Sequence, residues 1–343
     1  MKTWSGVSTF VGILFMATAS SLCGAQSSYS ITDLGTLSSN GYSVARAVNE
    51  TAEVTGAAGN NNSNLSDVFL YTNGTMTSLG TLGGNSGIGN GINASGEVAG
   101  YSQNSSGTYR AFLSSGGSLI DIGDLGGGSG VAYAINDAGQ VVGSAVTANG
   151  ENHPFLYSNG HMTDLGTLGS HGNNWWNSAQ GINNSGVVTG TSYDAQGNFF
   201  GFVWRNGKMT KMGTLGGLWS QGYAINNKGQ VTGLAYTTNG SAHAFIANCP
   251  TCRLKDLGTF AGSTSTVWGF GINDSGVVVG QSTFAGTYHA FVYSGGKIKD
   301  LNKMIPSGSG WVLIEADGIN AAGQIVGMGM LKGQEHAYLL TPQ

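Results

Sequence analysis

The chain has 343 residues, of which 60 are glycine, 40% are hydrophobic and only 9% are charged, with a net charge of −4. That hydrophobic share supports a packed core and excludes a disordered chain. No basic stripe is present, which excludes nucleic acid as a partner.

Residues 1–25 read as a secretory signal peptide. Lys2 supplies the charge, Val7 to Ala19 the apolar core, and Cys23-Gly24-Ala25 a small-residue cleavage site. The apolar run is too short to span a bilayer, and Leu22 fits poorly before a lipidated Cys23. The expectation is a secreted protein, with residence in a periplasm or attachment to a surface as alternatives. Residues 26–343 read as one domain.

The domain opens on Tyr29 to Leu37, whose Asp-Leu-Gly-Thr-Leu signature returns in varied form near 79, 121, 164, 211, 256 and 300. Next comes Val48 to Gly56, the first of seven copies of Ile-Asn-x-x-Gly-x-Val-x-Gly; the later ones begin at Ile92, Ile135, Ile182, Ile225, Ile272 and Ile319. Each is a β run, a polar turn and a second β run. Asparagine bonds to nearby backbone and glycine takes positive φ, so each copy predicts a hairpin. Ala52 stands where the others have glycine, which predicts the least regular turn there. The residues one and three places before each Ile (or Val48) are always alanine or glycine, as in Ala45 and Ala47 or Gly89 and Gly91. Alternation puts such a pair on one strand face, where neighbouring sheets crowd.

A third marker follows: His153-Pro154-Phe155, His243-Ala244-Phe245, His289-Ala290-Phe291 and His336-Ala337-Tyr338, with degenerate forms at Asp67, Arg110 and Phe200. A unit of about 44 residues with four strands has the length of a propeller blade. The chain starts on a fourth-type strand and ends on a third-type one, so docking the first strand on the last unit removes the free edge. The predicted fold is all-β: a seven-bladed β-propeller of four-stranded antiparallel blades, closed by the N-terminal strand completing the last blade.

Together the three markers resemble those of the HAF-repeat family of probable extracellular repeat proteins, over residues 29–341. The resemblance implies an exported repeat protein and carries no activity to individual residues.

Candidate chemistry is sparse. The histidines read as polar tethers between strands, because equivalent positions on stacked sheets lie too far apart to share a metal ion. Asp33, Asp164, Asp256 and Asp300 recur with the repeat and read as structural. Glu315, Asp317, Asp194 and Glu151 do not recur, and Glu315 and Asp317 are the catalytic candidates for a hydrolase or lyase. Cys249 and Cys252 predict a local disulfide in an oxidising compartment. No cofactor or metal site is expected. The variable connectors fall on one face and hold Trp175, Trp176, Trp268 and Trp311, joined there by Tyr193 and Tyr288. Trp219, in a connector of minimum length, reads as packing. Aromatic side chains around a polar face suit stacking on sugar rings. The expected function is a monomeric, non-catalytic recognition module for a glycan or a cell-surface or matrix partner. The alternatives are an extracellular glycosidase or polysaccharide lyase, and a purely structural surface repeat.

Overall fold

A computed structural model describes residues 28–61, 65–169, 176–248, 253–260, 266–284 and 286–343. The signal-peptide segment, Trp175, Cys249 and Cys252 lie outside them.

Each repeat folds as a meander of four antiparallel strands. The third repeat supplies Gly126–Ile135, Val141–Thr147, Asn152–Ser158 and His161–Asp164, paired in that order. Among the described residues there are five such four-stranded sheets and one eight-stranded sheet, in which the meanders of the first and second repeats meet at a single parallel pair, Ser66 with Ser86. The seventh repeat contributes Trp311–Ile319, Ile325–Leu331 and Gln334–Pro342. Its fourth strand is Tyr29–Asp33, antiparallel to the last, with Tyr29 opposite Pro342 and Asp33 opposite Tyr338.

The hairpin joining the first two strands has one construction throughout. In the fourth repeat, Asn183 Oδ1 accepts from the amides of Ser185 and Val187, and Gly186 donates to the Asn183 carbonyl at 2.9 Å. Gly186 sits at φ +71°, in the left-handed region where a Cβ is unfavourable. The first repeat corrects the expectation drawn from its alanine. Ala52 takes φ +63° and its turn keeps the same bonds, with Ala52 N donating to Asn49 O at 3.2 Å and Thr51 and Glu53 donating to Asn49 Oδ1. The surrounding bonds impose the conformation and the alanine bears the strain.

The asparagine amide has a second partner. Asn49 Nδ2 donates to the Asn93 carbonyl, and the same bond runs from Asn93 to Asn136 and onward through Asn183, Asn226 and Asn273 to Asn320, at 2.9 to 3.4 Å. Asn320 in turn donates to the Asn49 carbonyl at 3.0 Å. Turn chemistry explains one end of this side chain, and contact between repeats explains the other.

The core lies between successive sheets. The aromatic residue of the third marker is fully buried in every repeat, from Phe69 to Tyr338. A glycine on the second strand makes room for it. A Cβ on Gly190 would lie 2.0 Å from the Ser178 carbonyl oxygen and 2.9 Å from the Phe202 ring. Both small residues of the first strand are crowded, but they do not share a face as strict alternation predicts: a Cβ on Gly89 would lie 2.2 Å from Thr55 Oγ1 of the preceding repeat, and one on Gly91 would lie 3.1 Å from the Ile135 amide of the following repeat.

Candidate functional site

Between its two small residues each first strand skips one step of the ladder, so that Ala45 pairs with Gly56 and Ala47 with Thr55. The same shift occurs in the other six repeats. A bulge of this kind leaves one residue unpaired and re-aims its side chain. The seven residues so placed are Arg46, Asn90, Tyr133, Gln180, Tyr223, Phe270 and Asp317, and all seven line one central cavity of ≈ 430 Å³. Sequence reasoning used the small neighbours and, of the seven residues between them, singled out only Asp317. The signal was available: it is the position that varies while both flanks stay small.

Of the two catalytic candidates, Asp317 lines this cavity and Glu315 reaches it through their shared partner Arg46. Arg46 Nη1 lies 2.7 Å from Asp317 and 3.2 Å from Glu315, linking the first strand of the first repeat to that of the seventh. Burial pushes the Asp317 carboxyl up to about 7, against the pull of Arg46 and with a further push from Glu315. Its Oδ2 and the Gln180 Oε1 have no hydrogen-bond partner among the described residues. Burial also pushes the Tyr133 hydroxyl up to about 12 and raises that of Tyr223, which donates to Gln221 Oε1. Asn90 Nδ2 is spent on the Ala132 carbonyl at 2.8 Å. Asp194 is elsewhere. It caps a turn by accepting from Gln196 and Asn198 and pairs with Lys211 at 3.1 Å.

The histidines pair across the third and fourth strands. His153 Nδ1 lies 2.8 Å from Asp164, His243 Nδ1 2.9 Å from Asp256, and His289 Nδ1 3.0 Å from Asp300. His336 Nδ1 lies 2.9 Å from Asp33, tying the last repeat to the first strand. Repeats without the histidine substitute another pair at the same two places. Asp67 accepts from Ser78, Arg110 holds Asp121 at 2.8 Å, and Lys211 Nζ sits 3.2 Å from the Phe200 ring centre. These positions tether strands.

On the connector face, the binding candidates separate by exposure. Trp176 is 51% exposed and Tyr288 47%, whereas Trp268, Trp311 and Tyr193 are half-buried. Trp176 stacks on Phe199 at 6.4 Å, Phe199 stacks on Trp219 at 4.7 Å, and Trp219 meets Tyr236 edge-on at 5.2 Å. Tyr193 touches the same Phe199 at 5.7 Å. The result is an aromatic ridge across the fourth and fifth repeats, with Leu218, 72% exposed, beside it. Trp268 instead packs on Tyr288, and Trp311 on His336 and Tyr338.

No known family's sequence profile matches the chain, and no curated protein sequence does. Solved structures do. One is an oligogalacturonate lyase in complex with manganese, 10% identical over 91% of this chain and 93% of that one, with a TM-score of 0.57. Another is YCF48 bound to D1 peptide, 11% identical over 93% of this chain and 96% of that one, with a TM-score of 0.54. A TolB from Acinetobacter baumannii is 12% identical over 89% of this chain and 64% of that one, at 0.48, so the chain spans less than two thirds of its length. At such identities the likeness shows a propeller-type all-β fold and nothing of the chemistry. Among the described residues, no helix is long and apolar enough to cross a membrane.

Proposed function

We propose that the chain is an exported HAF-repeat protein whose seven repeats form a seven-bladed ring, and that it works as a non-catalytic recognition module for a glycan on a cell surface or matrix. The ring reading is supported by the Tyr29–Asp33 strand on the last repeat and by the bond from Asn320 back to Asn49. The recognition reading rests on one observation, the aromatic ridge from Trp176 to Tyr236. Closing a ring requires no half-exposed tryptophan, and flat apolar faces beside a polar surface are what sugar rings stack on. The similar folds include both a lyase and a peptide-bound protein, so the fold itself does not choose between catalysis and binding. The carboxylates favour binding. A glycosidase sets its two carboxyls on opposite sides of the bond it cleaves, whereas Glu315 and Asp317 converge on one guanidinium.

The test is a glycan and polysaccharide screen of the mature protein, followed by calorimetry on Trp176→Ala with the best binder. Loss of one exposed stacking ring should weaken binding by roughly tenfold and leave the melting temperature unchanged. A variant that binds equally well but melts earlier would sink the reading, as would product release from the bound glycan.

A further inference from the structure

The repeat puts like residues at like positions, and the bulge position breaks that rule. Seven sites with equivalent small neighbours carry one cation, one carboxylate, two amides and three aromatic rings. A role common to all repeats would recur, as the buried aromatic of the third marker does. A lining that changes from repeat to repeat instead makes an asymmetric pocket out of a near-symmetric frame. Its ≈ 430 Å³ falls within the range of small-molecule sites, about 300–1,000 Å³.

The lining holds little positive charge. Arg46 is its one cation, and two carboxylates already answer it. The Asp317 side chain is only 10% exposed, and its Oδ2 lacks a partner, as does Gln180 Oε1. A buried acceptor without a donor is costly, and Asp317 and Gln180 both line the cavity. In the two repeats before Asp317, the Tyr223 and Phe270 rings stand 5.8 Å apart, tilted by 51°. Ring faces attract cations, and the Asp317 carboxylate lines the same cavity in the repeat after Phe270. We propose that the central cavity binds a small organic ammonium ion, its charge held between the Tyr223 and Phe270 faces and the Asp317 carboxylate. This site is separate from the connector-face ridge and does not depend on it.

Calorimetry on the full mature chain at pH 8, where Asp317 is ionised, tests this with choline and ethylammonium as probes and 3,3-dimethylbutanol, the uncharged shape match of choline, as control. Saturable binding of at least one ammonium is expected, about tenfold or more tighter than the alcohol. Phe270→Leu, which keeps apolar volume, and Asp317→Asn, which keeps shape, should each weaken it by a similar factor. Trp176→Ala should leave it unchanged. Melting curves verify that each variant is folded. Equal affinity for choline and the alcohol, no saturation by either ammonium at millimolar concentration, or full affinity in both cavity variants would overturn the proposal.

Discussion

Single residues show where local chemistry yields to its surroundings. An alanine at φ +63° is strained by about 1–2 kcal/mol relative to the right-handed region. Ala52→Gly should therefore raise unfolding stability in urea by about 1 kcal/mol, less what glycine's extra freedom in the unfolded chain removes. An unchanged midpoint would show that the turn holds alanine without strain. Asp317 gives a pH signature of known sign. Its folded value is about 7 against an ordinary 3.8, so between those limits the folded state holds a proton that the unfolded state has lost. Stability from this group is greatest in acid and falls as pH rises towards 7, with Arg46 opposing the trend and Glu315 reinforcing it. The stability of the native protein relative to Asp317→Asn should thus decline from about pH 4 to pH 7 in urea titrations and level off above that, and parallel pH profiles would refute the assignment.

Adjacent strands of neighbouring repeats record their contacts in the sequence itself. The residue before the second-strand glycine is Thr55, Thr189 or Thr232 in three repeats, and the facing position of the next repeat is then Gly89, Gly222 or Gly269. Where that residue is Ala99, Val142, Val279 or Val326, the facing one is Ala132, Ala179, Ala316 or Ala45, and each such pair shares a core cluster. The threonine hydroxyls donate to a third-strand carbonyl, as Thr189 does to Phe202 at 2.9 Å. Gly222→Ala alone should lose about 1–3 kcal/mol from overpacking, and adding Thr189→Val should restore much of it by recreating the Val142–Ala179 pair. Additive losses in the double-mutant cycle would refute this complementarity. The four-strand meander, the hairpin and the small pair were all legible because they repeat. The bulge was not, because strict alternation hides a skipped step. The ammonium site was not, because it joins residues of different repeats that no pattern relates. The asparagine-to-carbonyl bond was equally invisible, since its acceptor is a backbone group of the next repeat.

At the scale of the molecule, the first strand matters more than its length implies. Tyr29–Asp33 supplies the outer edge of the seventh sheet and the His336–Asp33 tether. Tyr29 and Ile31 also pack against the core cluster around Leu313 and Tyr338. Removing residues 28–33 should lower the melting temperature by far more than removing six residues from an exposed loop, and an equal melt for the two truncations would mean the strand is dispensable.

The asparagine bonds also have a direction. Each side chain gives to the repeat ahead and each carbonyl receives from the repeat behind, so contacts run head to tail with no repeat privileged as a starting point. Ser28 and Gln343 lie side by side, the Gln343 amide donating to the Ser28 carbonyl at 3.1 Å. The order in which the ribosome delivers the repeats is thus separable from the shape they make. If the repeats close into the ring proposed above, a circular permutant that fuses 343 to 28 through a short linker and starts at an exposed connector traces the same circle from another point on it.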